Sequence, residues 1–182
     1  MADFDQAIPI ILEHEGGTVT LPDGAGLTCF GWTEKTCSAL GISMPTTVDE
    51  ASVLYQRHFW KPLYDQIISQ TVATKFFDDA VNQGPHAATE NLQKALNAVG
   101  SIVTVDGGFG QATLNATNMV PDTLLLPWMR KTQYDSYDEW INANRSARES
   151  LRHGLANRAA WPDPDGTIAT ALMAGTYGPN KR

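Results

Sequence analysis

A chain of 182 residues with 42% hydrophobic and 18% charged side chains has the composition of a folded globular protein, not of a disordered one. Its net charge of −7, from 13 Lys and Arg against 20 Asp and Glu, argues against nucleic acid as the main partner. The charge is uneven: residues 1–129 carry 5 basic and 14 acidic side chains, residues 130–182 carry 8 and 6. A basic C-terminal part suits an anionic surface such as a cell wall, and it equally suits a solvated helix face.

The pattern is helical almost throughout, which predicts a mainly α fold. Asp3 with Gln6 forms a capping-box signature. Phe4, Ala7, Ile8, Ile11 and Leu12 recur at helical spacing until Gly16-Gly17. From Gly17 to Trp32 the chain is rich in Gly, Thr and Pro, which predicts a loop or small hairpin. Thr33 opens a short helix ending at Gly41, and Thr47 with Glu50 caps another that must stop near Trp60, ahead of Pro62. Val72, Ala73, Phe76, Phe77, Ala80 and Val81 make the cleanest apolar stripe and predict a central buried helix, halted at Gly84-Pro85. Leu92 to Val99 mark the next helix, and Val105 to Gly110 a tight glycine turn before a short helix at 111–118. One or two long helices follow Pro121, then a helical stretch through Ala147, Leu151 and Leu155. The expected organisation is an N-terminal lobe at 1–70, a helical lobe at 71–160 and an irregular tail at 161–182.

Glu15 carries the most chemistry. It lies four residues after Ile11 and seven after Ile8, on the same helix face and at the negative end of the helix dipole. Burial and dipole both disfavour a carboxylate there and favour the protonated form that a general acid needs. An ordinary exposed Glu before a glycine stop is the plainer alternative. Glycoside hydrolysis commonly pairs two carboxylates across a sugar bond, and Asp23 is the only one between Glu15 and Glu34. Asp23 also suits a Pro22-Asp23-Gly24 turn, and Thr28 suits a water-holding hydroxyl. Phe30 and Trp32 are candidates for stacking on sugars or for the core. Asn82 and Gln83 are candidates for binding sugar amides and hydroxyls or for capping.

Other chemistries have less support. His14, His58, His86 and His153 show no metal-ligand spacing, so neither a metal nor another cofactor is expected. Cys29 and Cys37 are compatible with a bridge or with two small buried thiols, and neither has a local base that would make it a nucleophile. No apolar run is long enough for a membrane span, and the acidic start, Met1-Ala2-Asp3, is unlike a signal peptide. The expectation is cytoplasmic synthesis. If the substrate is the cell wall, a separate device such as a holin or secretion system must provide access to it.

The ordered series Glu15-Gly16-Gly17, Asp23, Thr28 and Phe30-Gly31-Trp32-Thr33 resembles the glycoside hydrolase family 108 N-acetylmuramidases, which include phage endolysins and bacterial wall-remodelling enzymes. Phe77-Asp78-Asp79-Ala80-Val81-Asn82-Gln83-Gly84-Pro85, Leu92 to Leu96 and Val105 to Thr113 resemble the peptidoglycan-binding region usual in that family. The loop from Glu15 to Asp23 is one residue shorter than the family pattern, while the Asp23-to-Thr28 spacing matches it. The resemblance implies a lysozyme-like helical fold. It implies hydrolysis of the β-1,4 bond between N-acetylmuramic acid and N-acetylglucosamine in peptidoglycan. Glu15 would be the acid, Asp23 would activate water or steady the oxocarbenium-like transition state, and Thr28 would position the water. A lytic transglycosylase and a wall-binding module without catalysis are the rival expectations.

Overall fold

In the computed structural model, which describes residues 1–17, 19–20 and 27–178, the chain opens on α1 (Phe4–Glu15). Asp3 caps this helix by accepting from the Asp5 N–H at 2.8 Å. The reciprocal contact comes from far away in the sequence, because the Asp3 N–H donates to Gln70 Oε1 at 2.7 Å. The start of α1 is thereby pinned to the start of α4 (Gln70–Gln83).

Three short antiparallel strands follow, β1 (Val19–Thr20), β2 (Leu27–Cys29) and β3 (Trp32–Thr33), in the order β1-β2-β3. Thr28 pairs with Val19 on one side and Thr33 on the other. Phe30 and Gly31 join β2 to β3 with φ of 50° and 83°. Positive φ at both central residues is what a tight hairpin requires, and Phe30 is the only non-glycine among the described residues to adopt it.

Thr33 caps α2 (Glu34–Leu40), accepting from the Thr36 N–H at 3.1 Å. Thr47 caps α3 (Val48–His58), but the Glu50 carboxylate accepts from the backbone and hydroxyl of Thr46 instead of closing the box on Thr47. After α4, Gly84 at φ 89° turns the chain directly into α5 (Pro85–Ala98), where Pro85 takes the first helical position that suits it. α6 (Gln111–Met119) leads to a single long α7 (Asp122–Asn142), which runs through Pro127. The stretch beyond it is broken into α8 (Arg145–Arg148), a 3₁₀ turn at Glu149–Leu151, and α9 (Arg152–Ala160). Arg152 anchors α9 with ion pairs to Glu149 and to Asp138 on α7.

α4 is the central helix, packed against α1, α5 and α7. Trp60 meets Phe77 edge-on at 5.1 Å, and Tyr64, Phe76 and Phe109 pack ring to ring beside it. This main core runs from Ala2 to Met129, so the hydrophobic interior does not divide at residue 70. It divides inside α7. Tyr134 and Tyr137 belong to a second, smaller cluster with Ala156, Ala159, Ala169 and Leu172. Residues 161–178 are not simply irregular, as the tail was expected to be: α10 (Thr167–Met173) packs on α9, and its first turn is held by the Asp163 carboxylate, which accepts from the Ile168 and Ala169 N–H groups. Among the described residues no helix is long and apolar enough to cross a membrane.

Candidate active site

Glu15 is the last residue of α1, and its side chain is 17% exposed. It shares the inward face of that helix with buried Ile8 and Ile11, as its spacing predicts. What its carboxylate meets is not an apolar wall but a guanidinium. Arg158 Nη2, on α9, donates to Glu15 Oε1 at 2.7 Å. The environment is that of an ion pair, a contact that the expectation from burial and helix dipole did not include.

Arg158 is itself held. Its Nε donates to both oxygens of Asp78 at 3.0 and 3.1 Å, and Nη2 lies 2.9 Å from Asp78 Oδ1. His14 Nδ1 donates to the same Asp78 oxygen at 2.9 Å. From beneath, Lys75 Nζ donates to the Arg158 carbonyl at 2.9 Å. Lys75, Asp78 and Asp79 all come from α4 and are nearly or fully buried. Burial drives Asp78 upward, but the His14 hydrogen bond and the charges of Arg158 and Lys75 outweigh it and hold Asp78 below the ordinary carboxylate range. Asp79 goes the other way: burial dominates over the help it receives from Asn91, Lys75 and Gln83, so its carboxyl is raised. Lys75 is pulled down to about 8, because burial outweighs the attraction of Asp78 and Asp79.

The opposite side of Glu15 is formed by the β2–β3 turn. A Cβ built on Gly31 would lie 2.5 Å from Glu15 Oε2 and would also strike the Tyr55 hydroxyl. Tyr55, on α3, is buried, and its hydroxyl donates to the Phe30 carbonyl at 2.8 Å, which ties the turn down. Burial, and then the nearby charge of Glu15, raise the Tyr55 phenol. Gly31 is therefore required twice, for its φ and for the space above it. Gly31→Ala is expected to lower turnover by about 10²-fold, the scale of an ångström displacement of a reacting group. It should also cost roughly 1–3 kcal/mol of stability through overpacking. Steady-state kinetics with a thermal melt check this, and an active, equally stable variant would show that the turn yields freely.

His14 and Arg158 also line a groove of about 830 Å³, whose other walls include Asn82, Gln83, Tyr137 and Trp140. The sequence candidates are distributed unevenly around it. Asn82 and Gln83 do line the groove, but Gln83 is committed at both ends, donating to Asp79 at 2.7 Å and accepting from Ser136 at 2.7 Å. Trp32 is in the core at 2% exposure, with Tyr55, His58 and Phe59 packed around its ring, so its faces are not available to a sugar. Phe30 is half-buried at the hairpin tip and packs against the same core. The Thr28 hydroxyl is buried on β2 with no hydrogen-bond partner among the described residues. Asp23 lies outside the described residues. Cys29 and Cys37 are both buried as free thiols, and burial followed by the proximity of Cys29 raises Cys37.

Three contributors escaped the sequence reading. Arg158 sits in a weakly patterned helix 143 residues from its partner, and nothing local signals it. Asp78 had a signal: Lys75, Asp78, Asp79 and Asn82 form a polar stripe at helical spacing on a helix that is otherwise buried. Trp140 reads as one more apolar residue of α7, yet it is 46% exposed on the groove, with Arg148 stacked 4.0 Å from its ring centre.

Residues 8–84 match the model of the family described as Glycosyl hydrolase 108. This segment is similar to that family over less than half of the chain. The glycosyl hydrolase 108 segment runs from α1 to Gly84 and so holds Glu15, Asp23, Thr28, Gly31, Tyr55, Asp78 and Asn82, whereas Arg158 lies outside it. The chain is a glycoside hydrolase, and its family domain supports a peptidoglycan-hydrolysing activity of the muramidase type. No curated protein matches the chain significantly. Among solved structures it is similar to SagA of Brucella abortus, with a TM-score of 0.67 and 22% identity over 96% of each chain. That likeness extends over nearly the whole length and shows the fold, which is mainly α and lysozyme-like with one small sheet.

Proposed function

We propose that the protein is an N-acetylmuramidase, cleaving the β-1,4 bond between N-acetylmuramic acid and N-acetylglucosamine in peptidoglycan for cell lysis or wall remodelling. One observation carries the reading: within the glycosyl hydrolase 108 segment, the Glu15 carboxyl is fixed at a helix end between Arg158 and Gly31, and His14 and Arg158 form part of the wall of a groove large enough for sugars.

In this reading a glycan strand lies along the groove, with Asn82 and the half-exposed Trp140 as its polar and aromatic contacts. Glu15 protonates the glycosidic oxygen. Oε1 accepts from Arg158, so the transferable proton is assigned to Oε2, on the side of Gly31. The second carboxylate is Asp23, which activates a water or steadies the oxocarbenium-like transition state. The hydroxyl of Thr28, without a hydrogen-bond partner among the described residues, suits the positioning of that water. Asp78 shares Arg158 with Glu15 but cannot play this part, since it is sealed from solvent at 0% exposure.

Mass spectrometry of purified sacculi digested by the protein tests the proposal. Muropeptides ending in reducing N-acetylmuramic acid are expected. Anhydro-muramic ends would instead assign a lytic transglycosylase, which needs no second carboxylate. Intact glycan with bound protein would assign a wall-binding module.

A further inference from the structure

We propose that Arg158, contributed from outside the family segment, is a positioning residue for the catalytic acid: it grips one oxygen of Glu15 and fixes the direction of the carboxyl. The proposal rests on Glu15 being the acid. Three observations lead to it. Arg158 Nη2 reaches Glu15 Oε1 at 2.7 Å, while Gly31 packs against Oε2, so the two oxygens have different surroundings. Arg158 is not free to follow a moving partner, because Asp78 holds it through Nε and Nη2 and Lys75 holds its carbonyl. Its side chain is only 10% exposed, yet it forms part of the groove wall. A planar guanidinium can bridge two carboxylates in fixed directions, and that geometry is what aiming an acid needs.

The bridge also divides a charge. Asp78 is fully buried and takes most of the hydrogen bonds of Arg158, so Glu15 faces a cation that is already largely balanced. A carboxyl facing an unbalanced cation would hold its proton poorly. The other charged or titratable groups around Glu15 are His14 on its own helix, Tyr55 on α3, Lys75 and Asp79 on α4, and Tyr137 on α7. They are common to all the variants below, so differences among the variants report on the bridge.

The test is the pH dependence of kcat and KM on purified sacculi for wild type, Arg158→Met, Arg158→Lys and Asp78→Asn, with Glu15→Gln as control. Each is assayed below its melting temperature. Loss of the acid's proton sets the alkaline limb of kcat. Arg158→Met removes the cation, so that limb should move to higher pH. Asp78→Asn removes the counter-charge and leaves the guanidinium to Glu15, so the limb should move to lower pH. Shifts of about one unit or more are expected in opposite directions. Arg158→Lys keeps the charge but offers a point contact in place of a fork. It should leave the limb nearly in place and lower kcat by about tenfold or more with little change in KM. If Arg158→Met does not fold, the downward shift in Asp78→Asn and the kcat loss in Arg158→Lys still decide. Limbs that stay put or move together, or an Arg158→Lys with full turnover, would reduce Arg158 to a tie that docks α9. An active Glu15→Gln would overturn the parent reading instead, and the two failures are thereby distinguished.

Discussion

Glu15→Gln is expected to lower kcat on purified sacculi by about 10²–10⁴-fold, the range for loss of general acid catalysis. The amide has the shape of the acid and its carbonyl can still accept from Arg158 at the Oε1 position, but it has no proton to give. KM should change little, because the lost interaction operates only as the glycosidic bond breaks. Stability should change little as well. Arg158 keeps Asp78 as its partner, so no buried charge is left alone. A thermal melt within a few degrees of wild type, alongside the lost turnover, is the expected pair of results. A folded Glu15→Gln variant with normal turnover would remove Glu15 from the mechanism.

Asp78→Ala should have the largest effect on folding. It deletes the acceptor of His14 and of two Arg158 nitrogens, and it leaves Arg158 with Glu15 alone as its charged partner and Lys75 with Asp79 as its nearest remaining carboxyl. Removing one partner of a buried pair costs about 3–5 kcal/mol. The cost depends on pH in a defined direction. The carboxyl of Asp78 is held below the ordinary value, so its contribution is complete above that value, near pH 3.9. It is lost as pH falls further and the folded state takes up the proton. Urea melts of wild type and Asp78→Ala should therefore differ fully at neutral pH and converge in acid. A gap that persists unchanged at pH 2–3 would mean that packing, not charge, holds this part of the core.

Much of this arrangement could be read from local patterns. The apolar stripe of α4 and its stop at Gly84-Pro85 follow from 3.6-residue periodicity and the chemistry of Gly and Pro. The caps at Asp3, Thr33 and Thr47 were visible because each is a contact within three residues. Their reciprocal arms were not, since Asp3 is completed by Gln70 across 67 residues. The same distinction governs the site. Glu15 was legible from one turn of helix. Its ion pair was not, because that depends on a side chain from α9. Trp32 was open between a sugar platform and the core, and its three aromatic neighbours place it in the core. In the C-terminal tail, Asp163 and Asp165 ahead of Thr167 are a usable start signal, but the helix they open has only seven residues.

The pairing of Glu15 with Arg158 also sets a clock. Ribosomes extend chains at about 5–20 residues per second, so Arg158 is added roughly 7–30 s after Glu15. During that interval the nascent protein carries Glu15 without the guanidinium that pairs with it, and Asp78 and Lys75 lack the partner that closes their cluster. Most of the main core can collapse in the meantime, because it ends at Met129. Closure of the Glu15–Arg158–Asp78 cluster is then among the last events in the making of the chain, separated in time from its bulk folding.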